Sequence, residues 1–274
     1  MGLNMDAENL LKSGHLSKAR ENIVQEIKLS PEDIDKRMLY VKILICCGEL
    51  DKALKNLDII NAQQTDLTEI IQEYTKLIDA EKNRAELFQN NETPEYFPTD
   101  PVYKSDVQQL RKQLFDKPDD ALKTIEIIEN KRPVLTGTLN EKKVDGIVNT
   151  DITLAFSLEA FIDGKYVWIP FETLKELTIT QPKFFFDLIW SQASLTTYNG
   201  LCINCYLPVL YPNSYSHEND QIKLGKMTDW EKIGRGLYKA YGQQIFNIGT
   251  DEIPILEIRN LTFDFQDQGN SNES

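Results

Sequence analysis

Residues 14–19 read Gly-His-Leu-Ser-Lys-Ala, and residues 48–53 read Gly-Glu-Leu-Asp-Lys-Ala. The two stretches lie 34 residues apart, which is the period of tetratricopeptide repeats built from paired antiparallel helices. In such a unit Gly relaxes the turn, Leu opens the second helix, and Ala lets the neighbouring helix approach closely. Apolar residues then continue at helical spacing, namely Leu16, Ala19, Ile23 and Ile27. The sequence therefore predicts helical hairpins in the first part of the chain.

A fainter third copy of the repeat lies further along the chain. Ala121-Leu122-Lys123 follows Ala53-Leu54-Lys55 by 68 residues, twice the period, and Pro118 with two acids opens its helix well. Between the copies, residues 90–101 carry three prolines and indicate a loop. We therefore expect a degenerate array of helical hairpins over residues 3–131 and not a regular solenoid.

The pattern changes after residue 133, where hairpin signals replace helical periodicity. Residues 158–169 read as two strands around Asp163-Gly164, a favoured two-residue turn. Residues 194–207 read as a second hairpin around Asn199-Gly200. Short strands with little room for crossover helices favour an antiparallel arrangement.

Three further elements are predicted in this part of the chain. The apolar run 183–190 indicates a short buried helix, residues 227–230 a turn, and residues 253–265 one long closing strand. The expected fold class is α+β. A TPR-like helical-hairpin domain (1–132) precedes a mostly antiparallel α+β domain (133–265) and a disordered tail (266–274).

Composition excludes several classes of function. The 274 residues include 30 Lys and Arg against 43 Asp and Glu, so the net charge is −13. Such a chain is a poor ligand for nucleic acid or anionic membranes. No stretch approaches the ~18 apolar residues of a membrane span, and the start of the chain does not resemble a signal peptide. We expect a soluble cytoplasmic protein without membrane insertion.

The sequence offers little for catalysis or metal binding. There are two His and four Cys in all. The one CxxC, Cys202 to Cys205, lacks the second pair that a zinc site needs, and residues three apart on a strand face opposite ways. Ser214, His217 and Asp220 could be assembled into a triad, but no nucleophile elbow precedes a helix there. We predict no catalytic, cofactor-binding or metal-binding residues, and structural roles for the cysteines.

The second part of the chain resembles the ImpE/SciE (TagJ) family of type VI secretion accessory proteins. The matching segments follow one another in the family's order: 159–172 (EAFIDGKYVWIPFE), 207–214 (LPVLYPNS), 224–230 (LGKMTDW), 242–244 (GQQ) and 256–263 (LEIRNLTF). Two features depart from the family pattern. Asn213 stands where the family has the Gly of a YPGS segment. Where the family has an aromatic-rich segment and an Arg-Leu-Gly run, this chain has residues 144–151 (VDGIVNTD). Asn tolerates left-handed backbone, so the turn can be kept.

The resemblance implies a non-enzymatic adaptor of the contractile sheath. Family members are associated with the N-terminal helix of the small sheath subunit, TssB, and with the disassembly ATPase, ClpV. A helix bound in a groove is a partner that suits a helical-repeat surface. A generic helical-repeat scaffold or chaperone with another client is the alternative, and a small hydrolase using residues 211–220 is a more distant one.

Seven residues are candidates for contact with a partner. Tyr40 and Leu44 are chosen because an apolar groove needs apolar lining. The others lie in the family-like segments: Tyr166, Trp168, Tyr211, Asp229 and Trp230. Because Tyr166 and Trp168 are two apart on a predicted strand, they should share one face. Oligomeric state is left open by the sequence.

Overall fold

The computed structural model describes residues 5–264, and eight α-helices lie in that range. They are α1 (Ala7–Lys12), α2 (Leu16–Leu29), α3 (Ile34–Cys46), α4 (Leu50–Gln63), α5 (Thr68–Gln89), α6 (Lys104–Asp116), α7 (Ala121–Lys131) and α8 (Asp220–Lys223). Among these described helices, none has the length and apolar character that a membrane crossing requires.

Fourteen strands lie in the same range. They are β1 (Glu95–Tyr96), β2 (Thr136–Leu139), β3 (Lys142–Asp145), β4 (Ile147–Asn149), β5 (Ser157–Ile162), β6 (Lys165–Pro170), β7 (Leu174–Ile179), β8 (Trp190–Thr197), β9 (Cys202–Pro208), β10 (Thr228–Gly234), β11 (Leu237–Gly242), β12 (Ile245–Ile248), β13 (Asp251–Pro254) and β14 (Asn260–Phe263). The α+β class is thus confirmed. We call residues 5–131 the helical half and residues 132–264 the sheet half.

The repeat identified in the sequence corresponds to two helical hairpins. Gly14 lies between α1 and α2, and Gly48 lies between α3 and α4, at φ values of +84° and +71°. Each of helices α1 to α4 contacts the helix that follows it in the chain. Asp6 caps α1 by accepting a hydrogen bond from the Asn9 backbone N–H (2.8 Å). The helical content is as predicted, whereas the TPR-like arrangement of the hairpins stays a prediction.

The large sheet has nine strands in the order β1-β6-β5-β9-β8-β7-β14-β2-β3. All its pairs are antiparallel except β1 with β6. Both predicted hairpins are present, as β5–β6 and β8–β9. Asp163 and Gly164 adopt φ values of +49° and +76°, as a two-residue turn between right-twisted strands requires. Two smaller sheets complete the fold, a ribbon of β10 with β11 and the group β13-β12-β4.

Three sequence-based elements were wrong in detail. Residues 183–190 hold only a short 3₁₀ helix, Phe185–Leu188, because the Asp187 carboxylate accepts hydrogen bonds from the Lys183 and Phe184 backbone N–H groups (2.8 and 2.9 Å) and tightens the turn. Phe184 is 71% exposed and not buried. Residues 227–230 belong to strand β10 and its entry, because the chain turns later, at residues 235–236.

The predicted closing strand is also interrupted. Residues 251–254 and 260–263 form two separate strands, with a 3₁₀ helix at Ile255–Glu257 after Pro254. Proline fixes φ and lacks an N–H, so a change of direction there is expected. Phe265 and the tail predicted for residues 266–274 lie outside the described residues.

The sheet is covered on both faces by apolar cores. One core contains helical residues such as Ile23 and Leu44 together with Phe161 and Trp168 of the sheet. The second core is formed by side chains on the opposite face of the same strands, including Ile169, and it reaches strand β12. Alternation along each strand separates the two sets. Because the first core draws on both halves, the helices are packed directly onto the sheet.

The turns of the helical hairpins also contact the sheet half. The Gln221 side chain donates a hydrogen bond to the Gly14 carbonyl (3.1 Å), and a Cβ at Gly14 would lie 1.9 Å from its Nε2. A Cβ at Gly48 would lie 2.5 Å from the Tyr215 ring. Asp220 accepts hydrogen bonds from the backbone N–H and hydroxyl of Ser17 (2.8 and 2.9 Å). The repeated Gly thus serves both a turn and a close contact between halves.

Gly48→Ala should therefore cost more stability than an equally strained substitution elsewhere. Left-handed backbone costs about 1–2 kcal/mol for Ala, and overpacking against Tyr215 adds about 1–3 kcal/mol. Gly200→Ala is the matched control, because φ is +87° there and nothing lies within 4 Å of an added Cβ. Urea unfolding measures both. Equal losses in the two variants would show that the contact with Tyr215 is unimportant.

Candidate functional site

A buried ion pair joins the two halves. Arg84 of α5 donates through Nε and Nη2 to the two carboxylate oxygens of Glu159 on β5, at 2.8 and 2.6 Å. Nη2 also donates to the Leu210 carbonyl and Nη1 to the Glu81 carboxylate, both at 2.8 Å. Arg84 and Glu159 are each 1% exposed. Burial opposes the charge on Arg84, but the carboxylates of Glu159 and Glu81 outweigh it and raise the guanidinium pKa.

Glu159 has further hydrogen-bond donors beside the guanidinium. Tyr166 Oη donates to Oε1 (2.5 Å), and Gln244 Nε2 donates to Oε2 (2.7 Å). Trp168 Nε1 in turn donates to Tyr166 Oη (2.6 Å). Burial and the Glu159 carboxylate raise the pKa of Tyr166, so the phenol stays a donor. A buried carboxylate that accepts this many hydrogen bonds is held in one position.

A second chain of hydrogen bonds extends from Gln244 towards the surface. Asn149 donates to Gln244 Oε1 (2.9 Å), and Tyr211 Oη bonds to Asn149 Oδ1 (2.9 Å) and to Thr150 Oγ1 (2.8 Å). Trp230 Nε1 donates to that Thr150 hydroxyl (3.1 Å). This network orders the segments around β12 and β4. The polar groups of this network are hydrogen-bonded to one another, as buried polar groups in folded proteins usually are.

The candidate site for a partner is a groove of about 880 Å³ between the helical half and the segment 182–188. We call it the hairpin groove. Its helical wall carries Leu11 of α1 with Met38 and Leu39 of α3, and its other wall carries Phe184, Phe185 and Leu188. Phe184 and Leu188 are exposed, at 71% and 39%. Exposed apolar side chains facing an apolar wall mark a surface for a protein partner.

Charged groups line the rim of the hairpin groove. Lysines at the rim are Lys12, Lys36, Lys42, Lys183 and Lys226, and acids are Asp6, Glu8, Glu26 and Asp35. Lys42 lies over the Phe186 ring, 5.2 Å from its centroid. Burial lowers the pKa of the Lys42 ammonium. A groove with apolar walls and a charged rim is suited to an amphipathic helix.

The comparisons with known proteins agree with the fold. Residues 141–262 match the family described as ImpE protein. The sheet half of this chain contains an ImpE domain. The resemblance found in the sequence is thus confirmed. The matched range includes Glu159, Tyr166 and Gln244, so the ImpE domain supplies one side of the buried network.

Two whole-chain comparisons extend beyond the ImpE domain. The chain is 26% identical to the type VI secretion system accessory component TagJ of Pseudomonas aeruginosa, across 95% of this chain and 92% of TagJ. The crystal structure of protein VPA1032 from Vibrio parahaemolyticus has a similar fold, with a TM-score of 0.82. That alignment covers 95% of this chain and 98% of the other at 20% identity. The helical half therefore belongs to the shared fold as much as the ImpE domain does.

The structure does not bring the three residues of the hydrolase alternative together as a triad. The Ser214 hydroxyl donates to the Tyr211 carbonyl (2.7 Å) and accepts from the Gly242 N–H (2.8 Å). Asp220 is bonded to Ser17. His217 accepts at Nδ1 from the Asn219 N–H (3.0 Å), and its Nε2 lies 3.4 Å from Asp229. Ser214, His217 and Asp220 are therefore each hydrogen-bonded to groups outside the supposed triad.

The two cysteines of the CxxC segment lie as strand geometry predicts. Cys202 is exposed and Cys205 is buried, on opposite faces of β9. Cys46 is buried and Cys47 half-buried in the helical half. Burial raises the pKa of the Cys47 thiol to about 11. Within residues 5–264, no group of three or more His, Cys, Asp or Glu side chains could hold a metal ion.

Most of the seven predicted contact residues lie inside the protein. Leu44, Tyr166, Trp168 and Tyr211 are at most 4% exposed, which corrects the expectation that they line a surface. Tyr166 and Trp168 do share a strand face, but that face carries the buried ion pair. Tyr40 is half-buried against the first core. Asp229 and Trp230 are exposed on β10, outside the lining of the hairpin groove. Their partner contacts stay a prediction.

Helix α3 lines the hairpin groove, but not with the face that carries Tyr40 and Leu44. Tyr40 and Leu44 lie one turn apart, as do Met38 and Lys42, but two residues correspond to about 200° around a helix. Met38, Leu39 and Lys42 therefore face the hairpin groove while Leu44 is buried. Phe184 was the other missed residue. Its only sequence signal was the triple Phe at 184–186, which resembles a core segment.

Replacement of Glu159 tests the buried network. Glu159→Gln keeps the shape but leaves Arg84 with the half-buried Glu81 alone, so we expect the free energy of unfolding to fall by about 3–5 kcal/mol. Glu95→Gln, an exposed acid on β1, is the control and should change stability by less than about 0.5 kcal/mol. Urea unfolding measures both variants. A Glu159→Gln protein as stable as the control would contradict a joining role for the pair.

Proposed function

We propose that this protein is a non-enzymatic, cytoplasmic adaptor of a bacterial type VI secretion system. The observation that carries the proposal is similarity to TagJ across 95% of the chain, which includes the ImpE domain and the helical half. That similarity supports an accessory role in type VI secretion. The hairpin groove has the features of a binding surface, with apolar walls and a charged rim.

The partner we propose is the N-terminal helix of the small sheath subunit, TssB. A helix bound in a groove buries apolar side chains at positions i, i+3, i+4 and i+7. The hairpin groove offers two apolar walls at which such a stripe can be buried, with Leu11 and Leu39 on one side and Phe184 on the other. Binding there would influence sheath assembly or disassembly linked to the ATPase ClpV. The family resemblance, and not a contact in this structure, supplies the ATPase link.

The direct test is isothermal titration of the full chain with a peptide of the cognate TssB N-terminal helix. We expect saturable binding with a micromolar dissociation constant, which corresponds to about −8 kcal/mol. A scrambled peptide of the same composition is the control. If the folded protein shows no heat of binding at about 100 μM peptide, this sheath partner is wrong and a scaffold with another client becomes the better account.

A further inference from the structure

Arg111 of helix α6 is a buried cation without a directly bound carboxylate. The residue is 3% exposed, and its guanidinium carbon lies 4.7 and 5.3 Å from the ring centroids of Phe88 and Trp168. Within residues 5–264, Arg111 forms no ion pair, and its buried Nε and Nη1 atoms have no hydrogen-bond acceptor. The two rings attract the positive charge, but no oxygen accepts from these N–H groups.

The carboxylates that act on Arg111 do so from further away and are held by other groups. They are Asp151 and Glu159. Glu159 is paired with Arg84, and Asp151 accepts from the backbone N–H and the hydroxyl of Thr153 (2.7 and 2.6 Å). Burial lowers the pKa of the Arg111 guanidinium, but arginine keeps its charge in proteins. The fold therefore buries a positive charge whose donors its own carboxylates do not satisfy.

A cavity of about 10 Å³ lies beside Arg111, between α6 and the start of strand β5. Such a volume holds one particle of about the size of a water molecule. Arg111 and Ser157, which is 4% exposed, line the cavity and can donate hydrogen bonds to a bound particle. No acidic side chain is among the described residues of the lining, whose Thr153 hydroxyl and Trp168 indole donate elsewhere. A buried cation with free donors favours an anion there over a neutral particle.

We propose that this cavity binds a small monovalent anion, and chloride is the anion whose size and charge match it. The ion accepts hydrogen bonds from Arg111 and Ser157 and neutralises the buried guanidinium. Sulfate, phosphate esters and carboxylic acids are too large for a cavity of one particle. Because α6 supplies one wall and the ImpE domain the other, the bound ion fastens the α6–α7 hairpin to the sheet half. The cavity shares no lining residue with the hairpin groove, so the inference does not depend on the proposed partner.

Urea unfolding of the full chain at constant ionic strength tests for the ion in solution. Sodium chloride replaces sodium gluconate, whose anion is too large for the cavity, at about 0.15 M total salt. An ion that binds only the folded protein lowers the equilibrium constant for unfolding, by about fivefold when its concentration is about four times the dissociation constant. We expect a decrease of this size that saturates as chloride rises. Equal stability in chloride and gluconate would overturn the proposal.

Two arginine variants with the same change of charge place the ion beside Arg111. Arg111→Met keeps a flexible side chain against Phe88 and Trp168 but removes the charge and the donors, so unfolding should no longer differ between chloride and gluconate. Arg235→Met is the control, at an exposed arginine outside the cavity lining, and it should keep the whole wild-type difference. The same difference in both variants would reveal a general salt effect and overturn the proposal.

Bromide locates the ion in the unaltered protein, so this test stands even if Arg111→Met does not fold. Bromide resembles chloride in size and charge, and its anomalous scattering identifies it in a crystal soaked with sodium bromide. We expect an anomalous peak within hydrogen-bond distance of the Arg111 side chain and the Ser157 hydroxyl. A water molecule in the cavity without a bromide signal would overturn the proposal. A bromide peak without the chloride effect in solution would show binding at crystal concentration only and would also overturn it.

Discussion

The ion pair of Arg84 with Glu159 is the constraint around which the rest of this structure is arranged. Two charges that leave water are tolerated only when nearly every donor and acceptor around them is satisfied. Here the donors and acceptors come from distant parts of the chain: Glu81 and Arg84 from α5, Glu159 and Tyr166 from the first hairpin, the Leu210 carbonyl and Gln244. Helix α5 can therefore lie in only one way on the sheet.

That fixed contact has a consequence for the hairpin groove. One groove wall is formed by α1 and α3, and the other by the segment 182–188, which leads into β8 of the large sheet. Phe186 and Trp190 pack in the same core as α5, and Trp190 Nε1 donates to the Glu81 carboxylate (3.1 Å). The spacing between the two groove walls thus depends on how the helical half packs on the large sheet. A partner helix would be recognised by both halves of one folded unit.

Much of the architecture could be predicted from local sequence. The 34-residue offset located two hairpin turns, because Gly14 and Gly48 are required at positive φ. Asp163-Gly164 located a strand pair for a similar local reason. The ImpE resemblance was visible in ordered segments. The interruption of the closing strand was harder to predict, although Pro254 indicates a break in a strand.

The candidate site could not be predicted in the same way, because it depends on long-range contacts. Arg84 and Glu159 are 75 positions apart, and in a chain with 43 acids one Glu has no distinguishing local signal. Alternation predicts that Tyr166 and Trp168 share a strand face, which made them candidates for partner contact, but it does not show what covers that face. The face of α3 at the groove and the exposure of Phe184 likewise depend on the packing of both halves.

The two halves form one cooperative unit, and one unfolding experiment tests this directly. All three Trp residues (168, 190 and 230) lie in the sheet half, whereas seven of the eight described α-helices lie in the helical half. Tryptophan fluorescence therefore reports on the sheet half and on its contacts with α5, whereas far-ultraviolet circular dichroism reports mainly on the helical half during urea unfolding. We expect coincident transitions with one midpoint. Two separated transitions would show that the halves fold independently and would contradict it.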